Sequence, residues 1–344
     1  MKRIIALILT FAVIFGALCI GAYAQGEYPY KTEDGLVRDP FVLVHDGKYY
    51  LYGTCLSNGP GYGCVVSEDL ENWSHPVQVF SPPEGFDGCG DYWAPECHFY
   101  KGSFYLFATY RSAQSGKRGT AIFKADSPLG PFELWSNGHA TPTERDCIDG
   151  TLFIDGNGQP WMIYVNEWTS NPDGIGEMAV AKLSADLREF ISEPVMIFRS
   201  NKHLWTNGSI TDGPFLYKTK SGRLVMLWSN SAKSGGYAVG MAVSDNGEVD
   251  GNWIHHPEAV YCQGDEYQYN GGHPMLFTSL DGKLIMAIHS PNESTDTVHE
   301  TATFFPIEDK GEYLEISGND GIIEKLEAVI YKIYYAVMRM YFKF

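Results

Sequence analysis

A tight glycine turn followed by an apolar strand recurs five times in this chain. The phrases are Asp46-Gly-Lys-Tyr-Tyr-Leu-Tyr, Lys101-Gly-Ser-Phe-Tyr-Leu-Phe, Asn157-Gly-Gln-Pro-Trp-Met-Ile-Tyr, Ser221-Gly-Arg-Leu-Val-Met-Leu-Trp and Asp281-Gly-Lys-Leu-Ile-Met-Ala-Ile. Their glycines, Gly47, Gly102, Gly158, Gly222 and Gly282, are 55, 56, 64 and 60 residues apart. Each phrase has the composition of a hairpin turn leading into a strand. A repeat of that length in an all-strand pattern builds a radial array of blades. The expected fold is therefore all-β: a five-bladed β-propeller with four-stranded antiparallel blades around a central channel.

A second repeat marks where each blade begins. Eight to ten residues before each glycine stands a short lead-in: Arg38-Asp39-Pro40, Trp93-Ala94-Pro95, Ile148-Asp149-Gly150, Thr211-Asp212-Gly213-Pro214 and Gly272-His273-Pro274. In a propeller the first strand of each blade lines the axis, so the starts of these strands meet at one mouth of the channel. Symmetry then brings Asp39, Asp149, Asp212 and His273 together. A third phrase ends in an aromatic residue (Trp73, Phe132, Phe190 and Trp253) and is expected between the third and outermost strands, packed between blades. The blades run roughly over 36–88, 89–142, 143–203, 204–266 and 267–316.

The flanks differ from the repeat. Lys2 and Arg3, an apolar run from Ile4 to Ile20 and Ala22-Tyr23-Ala24 have the pattern of an export signal over residues 1–24, cleaved after Ala24. The expected product is secreted or periplasmic, with no membrane attachment after cleavage. The propeller is expected over 25–320. The tail, 321–344, repeats apolar residues at helical spacing and is interrupted by charge, so it is expected as an outer amphipathic helix or an extension. Without Lys2 and Arg3 the chain carries 23 basic and 42 acidic residues, net −19. That surface repels nucleic acid and suits a neutral partner such as a sugar polymer. Six cysteines follow the signal, none in CxxC spacing. Cys55 and Cys64 stand where neighbouring strands could be bridged, or where free thiols could be buried.

Three carboxylates crowded at one mouth need a reason, because like charges raise one another's pKa. One reason is that aspartate before Gly or Pro caps turns. The other is glycosidic bond cleavage, which requires one ionised carboxylate to activate water and one protonated carboxyl to assist the leaving oxygen. Trp93-Ala94-Pro95 shows that the same slot can do without a carboxylate.

Arg38-Asp39-Pro40, Trp93-Ala94-Pro95-Glu96, Ile148-Asp149-Gly150 and Asp212-Gly213-Pro214-Phe215-Leu216-Tyr217, in that order, resemble glycoside hydrolase family 43 over about 36–316. The resemblance implies a propeller acting by inversion on arabinose- or xylose-containing plant cell-wall polysaccharides or oligosaccharides. It implies Asp39 as general base, Asp149 as pKa modulator and Asp212 as general acid. The family usually has Glu at the acid position; Asp212 is shorter by one methylene, about 1.5 Å, which makes Glu96 a second candidate. His273 matches a histidine that in the arabinanase-like branch binds calcium, so calcium in the channel is an option although no cofactor is required; hydrogen bonding to the inward carboxylates is its other reading. Trp93, Trp168 and Trp205 are candidates for sugar stacking, with core packing as the alternative. The absence of a following β-sandwich favours an α-L-arabinofuranosidase or arabinanase, expected as a monomer, over a β-xylosidase. A sugar-binding propeller with weak or no catalysis is the alternative of another class. Fructan-hydrolysing propellers also use Arg-Asp-Pro, but in the middle of the chain rather than the first blade.

Overall fold

The computed structural model describes residues 30–32, 35–264, 266–295, 298–317, 333–338 and 340. The expected export signal and most of the tail lie outside them. The described residues form five four-stranded antiparallel sheets, each built from one continuous stretch of chain, plus a two-stranded pairing of Tyr30–Lys31 with Asn72–Trp73. The innermost strands are Arg38–His45, Gly88–Tyr100, Cys147–Ile154, Asp212–Lys218 and Gly272–Thr278. They face one another around the axis, as the expected five-bladed propeller requires. The five repeat glycines all have φ between +72° and +85°, the turn conformation that glycine adopts without penalty.

The core lies between blades, and the strand sequences show why. Alternate residues of a strand point to opposite faces. In Pro160–Asn166, Met162 and Tyr164 pack towards the second blade with Phe107 and Ile122. Ile163 and Val165 pack towards the fourth with Met226 and Trp228. Both faces are buried, so these strands are continuously apolar rather than alternating. Each fully buried side chain of this size contributes about 1.5–3 kcal/mol. The repeated aromatics fall in the same seams: Trp73 stacks on Phe304 of the fifth blade, with ring centroids 6.3 Å apart.

Blade five meets blade one through side chains and a backbone bond rather than a shared strand. Arg38 Nη1 lies 2.6 Å from Glu300 Oε1, Val37 N–H donates to Glu300 O at 3.0 Å, and Leu280 N–H donates to Tyr49 Oη at 2.8 Å. Residues 333–338 and 340 are helical. Tyr335 is buried beside Ile254 and Tyr313, and Tyr334 Oη donates to His255 O at 3.0 Å, which seats this turn on the outer wall of blades four and five. All six cysteines described are free thiols: Cys64 is wholly buried and Cys55 exposed, so the structure holds no Cys55–Cys64 bridge.

Candidate active site

Each innermost strand opens with the same distortion. The register slips between Arg38 and Phe41, Trp93 and Glu96, Ile148 and Thr151, Asp212 and Phe215, and Gly272 and Met275. The residue after the slip begins has positive φ in all five blades: Asp39 +50°, Ala94 +42°, Asp149 +54°, Gly213 +49° and His273 +58°. These are β-bulges, which turn one side chain out of the strand's alternation. They aim Asp39, Asp149 and His273 at the axis. The sequence repeat treated Asp212 as a third member of this set, and the structure corrects that. Gly213 occupies the slot, and Asp212 stands one residue earlier, at the position of Arg38, Trp93 and Ile148. A Cβ on Gly213 would come within 2.8 Å of His273 Cα, so glycine lets the fourth and fifth inner strands close up.

The bulge N–H groups need acceptors, and the preceding blade supplies them. Ala94 N–H donates to Thr54 Oγ1 at 2.8 Å, Asp149 N–H to Thr109 Oγ1 at 3.2 Å, His273 N–H to Ser229 Oγ at 2.8 Å and Asp39 N–H to His289 Nδ1 at 3.1 Å. Each acceptor is at the same place in a second strand. In the third blade that place is held by Val165, which pairs with Ile148 and has no acceptor. Gly213 N–H donates instead to Asp149 Oδ2, at 2.9 Å. The break in symmetry draws the Asp149 carboxylate towards the segment that carries Asp212.

The electrostatics separate the three carboxyls. Burial would raise Asp39, but His273 Nδ1 at 3.1 Å, aided by Arg38, holds it well below the usual carboxylate range. Thr54 Oγ1 also donates to Asp39 Oδ2 at 2.7 Å. Asp149 is pushed up to about 6 by burial and by Asp39 and Glu96, against the pull of His273 and the Gly213 N–H. Burial, then the charge of Asp149, pushes Asp212 well above its usual value, although Tyr237 Oη donates to its Oδ2 at 3.0 Å. Burial disfavours charge on His273, yet Asp39 and Asp149 raise it to about 10. His289 is also close to Asp39 Oδ1, at 3.5 Å, but this contact is not an ion pair. Its Nδ1 accepts the Asp39 N–H and its Nε2 faces Asn292 Oδ1 at 3.0 Å, the neutral tautomer. Burial pulls its pKa down to about 4, in agreement. The set therefore holds one ionised carboxylate and one protonated carboxyl together near neutral pH, the division that acid–base hydrolysis requires.

The other candidates fall in three places. Glu96 is buried two residues along the strand from the bulge, with Oε2 3.3 Å from His98 Nε2. Trp93 is half-buried and lies over the Arg118 guanidinium, 5.2 Å from ring centre to Cζ. Arg118 in turn pairs with Glu167 at 2.7 and 2.8 Å, next to the turn Trp168–Ser170 that carries half-buried Trp168. Trp205 is in the core: 5 % exposed, against Trp228 and so close to Gly240 that a Cβ there would lie 2.0 Å from its ring. Core packing, the alternative weighed for it, accounts for that placement. Sequence reading missed Tyr237, Arg118 and Glu167, which carry no repeat signal, and Thr54, which stands seven residues after its repeat glycine as Thr109, Ser229 and His289 do. As for a metal, His273 Nε2 is buried without a protein partner, but no group of three or more His, Cys, Asp or Glu among the described residues is gathered to hold one. Calcium takes six to eight oxygen ligands, so a cation in this channel would need a shell filled largely by water.

Comparison with known proteins agrees with the fold. The sequence profile of Glycosyl hydrolases family 43 matches residues 32–309. An endo-arabinase from Bacteroides thetaiotaomicron VPI-5482 superposes with a TM-score of 0.75 at 35% identity, covering 83% of this chain and 99% of that one. The extracellular exo-α-(1→5)-L-arabinofuranosidase of Streptomyces chartreusis is 26% identical over 314 residues, 85% of this chain and 92% of its own length. The match to the extracellular exo-α-(1→5)-L-arabinofuranosidase of Cellvibrio japonicus is 29% identical and spans 44% of each chain.

Proposed function

The chain belongs to glycosyl hydrolase family 43, and from that premise we propose that it is an exported hydrolase of α-L-arabinofuranosyl linkages in arabinan-type plant polysaccharides or oligosaccharides, working with inversion. The observation that carries this reading is the chain of contacts that gathers three carboxyls at one channel mouth: Asp39 to His273 at 3.1 Å, His273 to Asp149 at 3.8 Å, and Asp149 to the N–H of Gly213, next to Asp212, at 2.9 Å. Asp39, ionised, takes a proton from water as the water oxygen bonds to the anomeric carbon. Asp212, protonated, gives its proton to the glycosidic oxygen as that carbon–oxygen bond breaks and its electron pair leaves with the oxygen. Asp149 lies between them, bonded to the Gly213 N–H and 3.8 Å from His273 Nδ1, and its charge keeps Asp212 protonated. Trp93, held over Arg118, offers an apolar face to a sugar ring. The arabinose preference is supported by relatives named arabinofuranosidases and an endo-arabinase. The export reading is supported by relatives named extracellular. In inverting enzymes the two carboxyls stand about 6.5–9.5 Å apart, leaving room for the water.

One experiment tests the reaction and its stereochemistry. The purified chain is given arabino-oligosaccharides and, in parallel, nitrophenyl arabinofuranoside and xyloside, and proton NMR follows the first sugar released. Arabinose should appear first as the inverted anomer. A retained anomer would refute inversion, faster xyloside turnover would favour a β-xylosidase, and tight binding without turnover would favour a sugar-binding propeller.

A further inference from the structure

Tyr237 opens the third strand of the fourth blade, Tyr237–Ser244. Its ring is held on two sides. One face stacks on His289, with centroids 5.6 Å apart and planes 16° apart. Another part of the ring lies against Gly272, where a Cβ would come within 2.3 Å of Cε1. The hydroxyl therefore points from a fixed place, and it donates to Asp212 Oδ2 at 3.0 Å. The other oxygen, Oδ1, is buried and has no protein partner.

We propose that Tyr237 is a positioning residue for the general acid: its phenol holds Oδ2 of Asp212, so that this short carboxyl keeps one orientation while it holds its proton. The proposal rests on Asp212 being the acid. A neutral carboxyl has one oxygen that donates and one that only accepts. The tyrosine O–H on Oδ2 fixes the plane of the carboxyl while it holds that proton. When that proton passes to the glycosidic oxygen, the bond to the leaving group breaks, its electron pair stays on that oxygen, and Asp212 becomes a carboxylate. The phenol then donates to a charged oxygen rather than a neutral one, and such bonds are roughly twice as strong. The interaction strengthens as the reaction proceeds, so it favours the transition state over the bound substrate. It also gives a physical reason why aspartate can serve here: a shorter acid reaches less far but is fixed by a partner that cannot swing away.

Tyr237→Phe removes the hydroxyl and keeps the ring contacts. On arabino-oligosaccharides, whose leaving oxygen is strongly basic, kcat should fall about 10- to 100-fold while KM changes by less than about threefold. On a dinitrophenyl arabinofuranoside, which leaves without protonation, kcat should stay within about twofold. Asp212→Asn is measured beside it. If Asp212→Asn slows both substrates alike, the assignment of the acid fails and the positioning role with it. If Asp212→Asn spares the dinitrophenyl substrate as an acid variant should, Tyr237 is judged alone. An unchanged kcat, an equal loss on both substrates, or a loss that adds in full to that of Asp212→Asn would each overturn its role. A double variant no slower than Asp212→Asn supports it, because residues acting through one proton are not additive.

Discussion

A buried carboxyl held protonated for catalysis lowers the stability of the fold that holds it. Asp212 has a native pKa raised above its unfolded value of about 4. Such a group binds its proton more tightly in the native state, so its contribution is complete below pH 4 and is lost as pH rises through the native value. Asp212→Asn should therefore raise Tm at pH 7, by about 2–4 °C, while removing hydrolysis of natural glycosides. Calorimetry from pH 4 to pH 8 checks the sign: the advantage of the variant should vanish at the acid end and grow with pH. An advantage that is constant with pH would mean that the carboxyl is not held neutral. Asp39 behaves oppositely, because His273 and Thr54 hold its ionised form. Activity should accordingly survive into mildly acid solution and fall on the alkaline side, where Asp212 loses its proton.

At the scale of elements, the bulge is the device that builds the site. Five equivalent bulges turn five residues towards the axis, and the chain uses the turned positions differently: Asp39 and Asp149 as carboxylates, His273 as a cation, Ala94 and Gly213 as spacers. Four bulge N–H groups are satisfied by a hydroxyl or imidazole of the preceding blade, and the exception is the one facing Val165. Val165→Thr would offer Gly213 N–H the acceptor that other blades provide. Asp149 Oδ2 would lose its backbone partner and its hold on the Asp212 segment. We expect kcat to fall about tenfold with KM nearly unchanged, since misplacement of a reacting group costs rate more than binding. Val165→Ala, which leaves no hydroxyl, should keep kcat and cost about 1–3 kcal/mol of stability instead. Equal kcat in the two variants would argue against the exchange of partners.

At the scale of the molecule, a ring of blades must be closed, and here closure falls to the seam between blades five and one. Glu300 joins them twice, through its carboxylate to Arg38 and its carbonyl to Val37. Arg38 also donates to Asn292 O at 2.8 Å, and Asn292 faces the His289 that accepts the Asp39 N–H. Closure of the ring and placement of the proposed base thus share one chain of contacts. Arg38 is about one-third exposed, so solvent screens the pair, and Glu300→Ala should cost about 1–2 kcal/mol, between the values for surface and buried pairs. Thermal melts should show Tm lower by about 2–6 °C. Limited proteolysis should show new cuts near the seam. Unchanged melting would leave the closure to the Val37–Glu300 backbone bond, the Leu280–Tyr49 bond and the packing of Trp73 on Phe304.

The blade count was legible in the sequence because a hairpin turn is a local event. Gly47, Gly102, Gly158, Gly222 and Gly282 are needed wherever the chain reverses with positive φ, and their spacing is the blade length. The meeting of Asp39, Asp149 and His273 was legible for a related reason: once the fold is a propeller, equivalent positions converge whatever their distance along the chain. The register of the bulge was present too, though the aspartate repeat passed over it: Pro40, Pro95, Pro214 and Pro274 each follow the slot residue. Alignment on those prolines seats Gly213 rather than Asp212 in the slot, and the pairing of Asp212 with Ser229 is what the offset looks like in the sheet. What the sequence could not show was Tyr237 or Arg118 at the site. These act through contacts between blades, and only the packed ring decides which side chains of one blade reach the inner strand of the next.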